Sequence, residues 1–122
     1  MNQVAEPWPT ALDYDPAAKI LHVSFETGER FALAAEYLRV ESPSAEVQGH
    51  SPSEQQIVPG RAHVGIINIE PVGNYAVRLI FDDLHDTGIY SWRYLFELGR
   101  DHAPRWETYI KALTARGLKR EP

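Results

Sequence analysis

From Tyr75 to Asp82 the chain alternates Tyr75, Val77, Leu79 and Phe81 with Ala76, Arg78, Ile80 and Asp82. Successive side chains of a strand point to opposite faces, so this segment reads as a strand with one wholly apolar face and one mixed face. An apolar face of that kind cannot stay in water, and helices are expected to cover it. His63 to Glu70 is also rich in β-branched residues, and Pro71-Val72-Gly73-Asn74 between the two segments has turn chemistry, so the pair forms a hairpin.

A second hairpin precedes it. Leu21, Val23 and Phe25 share one face of a strand, and Phe31 and Leu33 return on the other side of Glu26-Thr27-Gly28-Glu29, where Gly28 can take positive φ. Met1 to Thr10 has no pattern, and Ala34 to Leu38 is long enough for one helical turn. Two helices close the chain. Asp86 or Thr87 can cap a helix over Thr87 to Leu98 bearing Ile89, Trp92, Leu95 and Phe96, with Gly99 at the position after its end. Pro104 suits the first turn of a helix to Arg116 with Trp106, Tyr109, Ile110 and Leu113 in one stripe and Gly117 as its stop. Leu118 to Pro122 reads as a frayed charged tail. The expected fold is α+β, a mostly antiparallel sheet of two hairpins with the two C-terminal helices packed on one face.

At 122 residues the chain suits a single domain spanning 1–122, with a core of about 9–117. A net charge of −5 without a basic block argues against nucleic acid as a partner. The absence of cysteine removes disulfides, thiolate ligands and a cysteine nucleophile, so any metal must be held by His, Asp or Glu. No apolar run approaches membrane-spanning length, and no signal-like segment opens the chain, which makes the cytoplasm the default address.

Chemistry concentrates in two places. Asp82, Asp83, His85 and Asp86 lie at a strand end, close enough for several to meet one cation, and hard carboxylates with imidazole suit Fe or Zn. The competing reading makes Asp83 and Asp86 caps of backbone N–H groups and His85 a surface turn residue. The second place is the polar stretch from Glu41 to Pro59, read as a long surface loop. His50 and Glu46 in it could complete a site with His85 if folding brings them together. Ser42 and Ser44 lack a nucleophile's elbow and sit around Pro43 as turn residues. Arg39 can clamp an anion or form a salt bridge with a neighbouring carboxylate.

Three stretches, Leu38 to His50, Ile69 to Val77 and Phe81 to Trp92, resemble in order the gamma-butyrobetaine hydroxylase-like N-terminal domain family, long catalogued as a domain of unknown function, in its stand-alone bacterial form. The likeness runs from about Pro9 to Leu113. It implies an accessory role: such domains precede the iron- and 2-oxoglutarate-dependent catalytic domain of carnitine-pathway hydroxylases and accompany iron–sulfur carrier proteins. The hydroxylase's catalytic barrel does not fit in this length, and no His-x-Asp pair exists for its iron. The resemblance also implies a structural zinc site in the hydroxylase version, built from three thiolates and a histidine. The corresponding positions here are Ser42, Ser44, Val47 and His85, and Leu84 stands where the family pattern has glycine.

Two functions are therefore expected to compete. One is a non-catalytic accessory or protein-interaction domain, linked through the resemblance to iron or iron–sulfur metabolism and presenting Arg39, Ser42, Ser44, Glu46 and Asp86 to a protein partner. The other is a small Fe- or Zn-binding protein or enzyme using His85, Asp82, Asp83 and His50. A third, purely structural reading assigns both segments to caps and turns.

Overall fold

The structure, a computed structural model, describes residues 7–48 and 56–122. Chain order is β1 (Pro9–Asp15), β2 (Ile20–Phe25), β3 (Arg30–Ala34), α1 (Ala35–Val40), α2 (Ala45–Gln48), β4 (Ile66–Val72), β5 (Ala76–Phe81), β6 (Gly88–Ser91), α3 (Trp92–Arg100) and α4 (His102–Ala115). The strands form two antiparallel sheets of three, ordered β1-β2-β3 and β4-β5-β6. The fold is α+β, and both expected hairpins lie at its centre: β2 pairs with β3 around Gly28 at φ 93°, and β4 pairs with β5.

Each sheet carries one strand that periodicity missed. β1 alternates only between half-buried and exposed positions, because its Leu12 and Tyr14 touch the core at its margin. β6 occupies residues expected to open a helix. Pairing with β5 lets Tyr90 bury completely opposite Val77, and the helix begins only after Ser91, whose Oγ accepts the Tyr94 N–H at 3.1 Å. The cap is thus Ser91, not Asp86 or Thr87. Gly99 also departs from expectation, lying inside α3 rather than beyond it. An added Cβ there would meet the Phe31 ring at 2.3 Å, so this glycine allows close packing of α3 on β3.

One core unites both sheets with α3. It contains Leu21, Val23 and Phe25 of β2, Val77, Leu79 and Phe81 of β5, and Leu95 and Leu98 of α3. Tyr75, expected on the apolar face, precedes β5 and is exposed. Helix α4 lays Tyr109 and Leu113 against Val40, Ile57 and Val58 in a smaller cluster. The C-terminal residues are not frayed: Gly60 and Ala62 N–H groups bond to the carbonyls of Lys119 and Arg120, and Arg120 pairs with Glu36 at 2.7 Å.

All six residues of α1 are buried. A helix this short leaves most of its carbonyls without intrahelical partners, and tyrosine hydroxyls supply some of the missing donors around it. Tyr90 Oη donates to the Leu38 carbonyl, and Tyr94 Oη donates to the Glu41 carbonyl at 2.6 Å. Tyr37, from α1 itself, donates to the Leu98 carbonyl of α3 at 2.7 Å. The end of α1 is thereby held against β6 and α3, where the polar residues begin.

Candidate functional site

The end of α1 and the turn joining β5 to β6 meet through charge. Arg39 Nε donates to Asp83 Oδ2 at 2.8 Å, and Arg61 Nε donates to the same oxygen at 2.7 Å. The other carboxylate oxygen accepts the His85 N–H at 3.1 Å. Burial alone would lift the Asp83 carboxyl. The bonds from the His85 N–H and the two guanidinium groups outweigh it and leave its pKa below the usual range. Arg39 is buried, and its Nη1 finds no hydrogen-bond partner among the described residues. The Asp83 charge is consequently what makes burial of this arginine tolerable.

His85 makes the second junction. Its Nε2 lies 2.9 Å from Ser42 Oγ and 3.5 Å from Ser44 Oγ, and its Nδ1 faces a Glu46 oxygen at 3.4 Å. A carboxylate only accepts, so the tautomer with its proton on Nδ1 suits Glu46 and leaves Nε2 to accept from the Ser42 hydroxyl. The Ser42 oxygen in turn accepts the Ser44 N–H at 3.3 Å. Far from being a surface turn residue, His85 is only 7% exposed. Burial, then the nearby Arg39 charge, hold its pKa below the ordinary histidine value against the pull of Glu46, Asp83 and Asp86.

A folded-state pKa below the unfolded one means that the unfolded chain takes up the extra proton as pH falls. His85 therefore contributes stability that is whole above the unfolded pKa of about 6.5 and is lost as pH falls through the folded value. Urea unfolding of the natural chain should weaken from pH 7.5 to 5.5 by more than that of His85→Gln. Equal slopes for the two proteins would show that His85 carries no such linkage.

Ser42, His85 and Glu46 follow the connectivity of a hydrolytic triad, yet Ser42 has no exposed surface, so a substrate carbonyl has no route to its oxygen. The positions matching the family's zinc site do converge, since Ser42 and Ser44 both face His85. Two hydroxyls, one imidazole and the buried Val47 nevertheless lack the thiolates that such a site requires, and they do not fit a zinc ion. Of the other expected ligands, Asp83 is spent on its two arginines, and Asp82 Oδ2 accepts the Gly65 N–H at 3.0 Å. His50 lies outside the described residues. Among the described residues no group of three or more His, Asp or Glu side chains is placed to hold a metal ion.

Between Asp83 and His85, Leu84 has φ 74° and is 83% exposed. A left-handed backbone brings Cβ of a non-glycine residue too near its carbonyl, a strain of roughly 1–2 kcal/mol. Two participants escaped the sequence reading. Arg61 is separated from Asp83 by 22 positions, with no pattern linking them. Glu41 is buried and binds Arg105 Nη1 at 3.0 Å, and burial raises its pKa while Arg105 opposes the rise. The one available signal for Glu41 was an acidic residue directly after a helix of buried residues.

The profile of the family described as gamma-butyrobetaine hydroxylase-like, N-terminal, matches residues 12–96. No curated protein matches the sequence. Among solved structures, one protein solved in solution by NMR is 44% identical, with a TM-score of 0.84 over 100% of this chain and 91% of that one. Another NMR structure is 39% identical at a TM-score of 0.83, over 97% of this chain and 93% of that one. A crystal structure from Acidithiobacillus ferrooxidans, of a protein with unknown function in the DUF971 family, is 37% identical. Its TM-score is 0.64, over 75% of this chain and 91% of that one.

Proposed function

The chain belongs to the gamma-butyrobetaine hydroxylase-like N-terminal family, and from that membership and the site's geometry we propose that it is a non-catalytic accessory domain that binds a protein partner. The observation that carries this reading is that the two polar segments meet and spend their reactive groups on each other. Asp83 is occupied by Arg39, Arg61 and the His85 N–H, and the His85 ring by Ser42. Such bonds fix the shape of a surface and keep the Asp83 carboxylate and the His85 ring engaged within the protein. What the surface offers outward is the Glu46 and Asp86 side chains together with the exposed turn.

Resemblance to accessory modules of iron hydroxylases and iron–sulfur carriers directs the search for that partner toward proteins of iron or iron–sulfur metabolism. The test is affinity capture by the purified chain from an extract of its own cells, quantified against an unrelated domain of equal net charge. One or a few proteins should be enriched, bind directly when purified, and bind several-fold less to the Glu46→Gln/Asp86→Asn double variant. No enrichment over the charge-matched control would overturn the proposal.

A further inference from the structure

Leu84 combines three properties that seldom coincide. It is exposed, it is apolar, and it holds a backbone conformation that glycine would adopt without strain. The turn around it is also anchored on both sides. The Leu84 N–H bonds to the Phe81 carbonyl at 3.0 Å, the Phe81 N–H bonds to the His85 carbonyl at 3.0 Å, and the Asp82 N–H bonds to the Gly65 carbonyl at 2.9 Å. With Asp83 clamped by two arginines and His85 buried against Ser42, the backbone that carries the leucine is held on both sides. An apolar side chain presented to water on an anchored backbone is a feature of docking surfaces, where little backbone entropy remains to be lost on binding.

Two arginines lie beside the turn, Arg61 paired with Asp83, and Arg78 paired with Glu70 and bonded to the Asp86 carbonyl at 3.4 Å. Asp82 and Asp86 are exposed on either side of the turn, and the Glu46 side chain is 65% exposed beside His85. Among the described residues none of these three carboxylates forms an ion pair with lysine or arginine, whereas Asp83 is already matched. The complementary surface is an apolar recess edged by lysine or arginine.

We propose that Leu84 is the anchor by which this chain docks, seated in an apolar recess of a protein whose rim is basic and faces Asp82, Asp86 and Glu46. The proposal rests on the interaction reading above and specifies its contact residue and the chemistry of its partner. To test it, Leu84 is replaced by the photoreactive residue p-benzoylphenylalanine in the full chain, with the same replacement at exposed Tyr75 as control, and each protein is irradiated in an extract of its own cells.

Position 84 should label one protein that position 75 does not, through a peptide of apolar residues flanked by lysine or arginine. That protein, purified, should bind Leu84→Gly at least tenfold more weakly than the natural chain and Leu84→Met about equally. Its affinity should fall with added salt, and less so for Asp82→Asn/Asp86→Asn. Leu84→Gly should melt at a higher temperature than the natural chain, which separates lost binding from lost folding. A captured partner that binds Leu84→Gly as tightly as the natural chain would overturn the Leu84 anchor and leave the interaction reading standing. No labelling at position 84, while the natural chain still captures a partner, would do the same. Failure of both capture and labelling would overturn both.

Discussion

Replacing Asp83 with alanine should cost about 3–5 kcal/mol of folding stability, because it leaves the buried Arg39 guanidinium without its counter-charge. It also removes the acceptor for Arg61 Nε and for the His85 N–H. A domain of ordinary stability has only about 5–15 kcal/mol in total, so the variant should lose a large share of it. The loss has a pH signature with a definite sign. Asp83 titrates lower in the folded chain than in the unfolded one, so its contribution is complete above the unfolded value of about 3.9 and is lost as pH falls through the folded value. Urea unfolding at 25 °C should show the full gap between the natural chain and Asp83→Ala at pH 7, narrowing toward pH 3. A gap below about 1 kcal/mol at pH 7, the scale of an exposed ion pair, would mean that Asp83 does not brace the site.

Tyr90 is the second residue whose loss should be severe, and two substitutions separate its roles. Tyr90 is fully buried between β6 and α1, and its hydroxyl donates to the Leu38 carbonyl. Tyr90→Phe keeps the ring and strands that carbonyl, at a cost of roughly 1–3 kcal/mol. Tyr90→Ala removes the ring as well and should cost about 3–5 kcal/mol through the cavity it leaves. The Gly88 position lies in the same packed corner, since an added Cβ would come within 2.7 Å of Ser42 Oγ. Denaturant midpoints ordered natural, Phe, then Ala at constant m-value are expected. A phenylalanine variant as stable as the natural chain would show that the hydroxyl does not tie α1 to β6.

The two central hairpins and α4 were readable because their apolar residues recur at the period of their structure. In β2 Leu21, Val23 and Phe25 are all buried, and in α4 Tyr109 and Leu113 face the body as their spacing requires. β6 was not readable. Over Gly88 to Ser91 a helical spacing from Ile89 competes with a short strand, and only pairing with β5, a tertiary contact, favours the strand. The same limit applies to the site. Both polar segments were visible by composition, and Arg39 does form the salt bridge that its chemistry suggested. Their meeting across more than forty positions, at Ser42–His85 and Arg39–Asp83, depends on α1 packing against β6. Arg61 joins through a loop with no periodicity. His85 looked like a turn residue because polarity in the sequence does not reveal burial once Ser42 supplies a partner.

The most direct test of the central claim is an amide NMR footprint of the captured and purified partner on the isotopically labelled chain. Binding through the braced surface should shift the amides of residues 41–47 and 82–88 together, with Leu84 among the most strongly affected, and leave the exposed β1–β2 face unmoved. A footprint confined to other surfaces, with the Ser42–His85 and Arg39–Asp83 region unperturbed, would contradict the account.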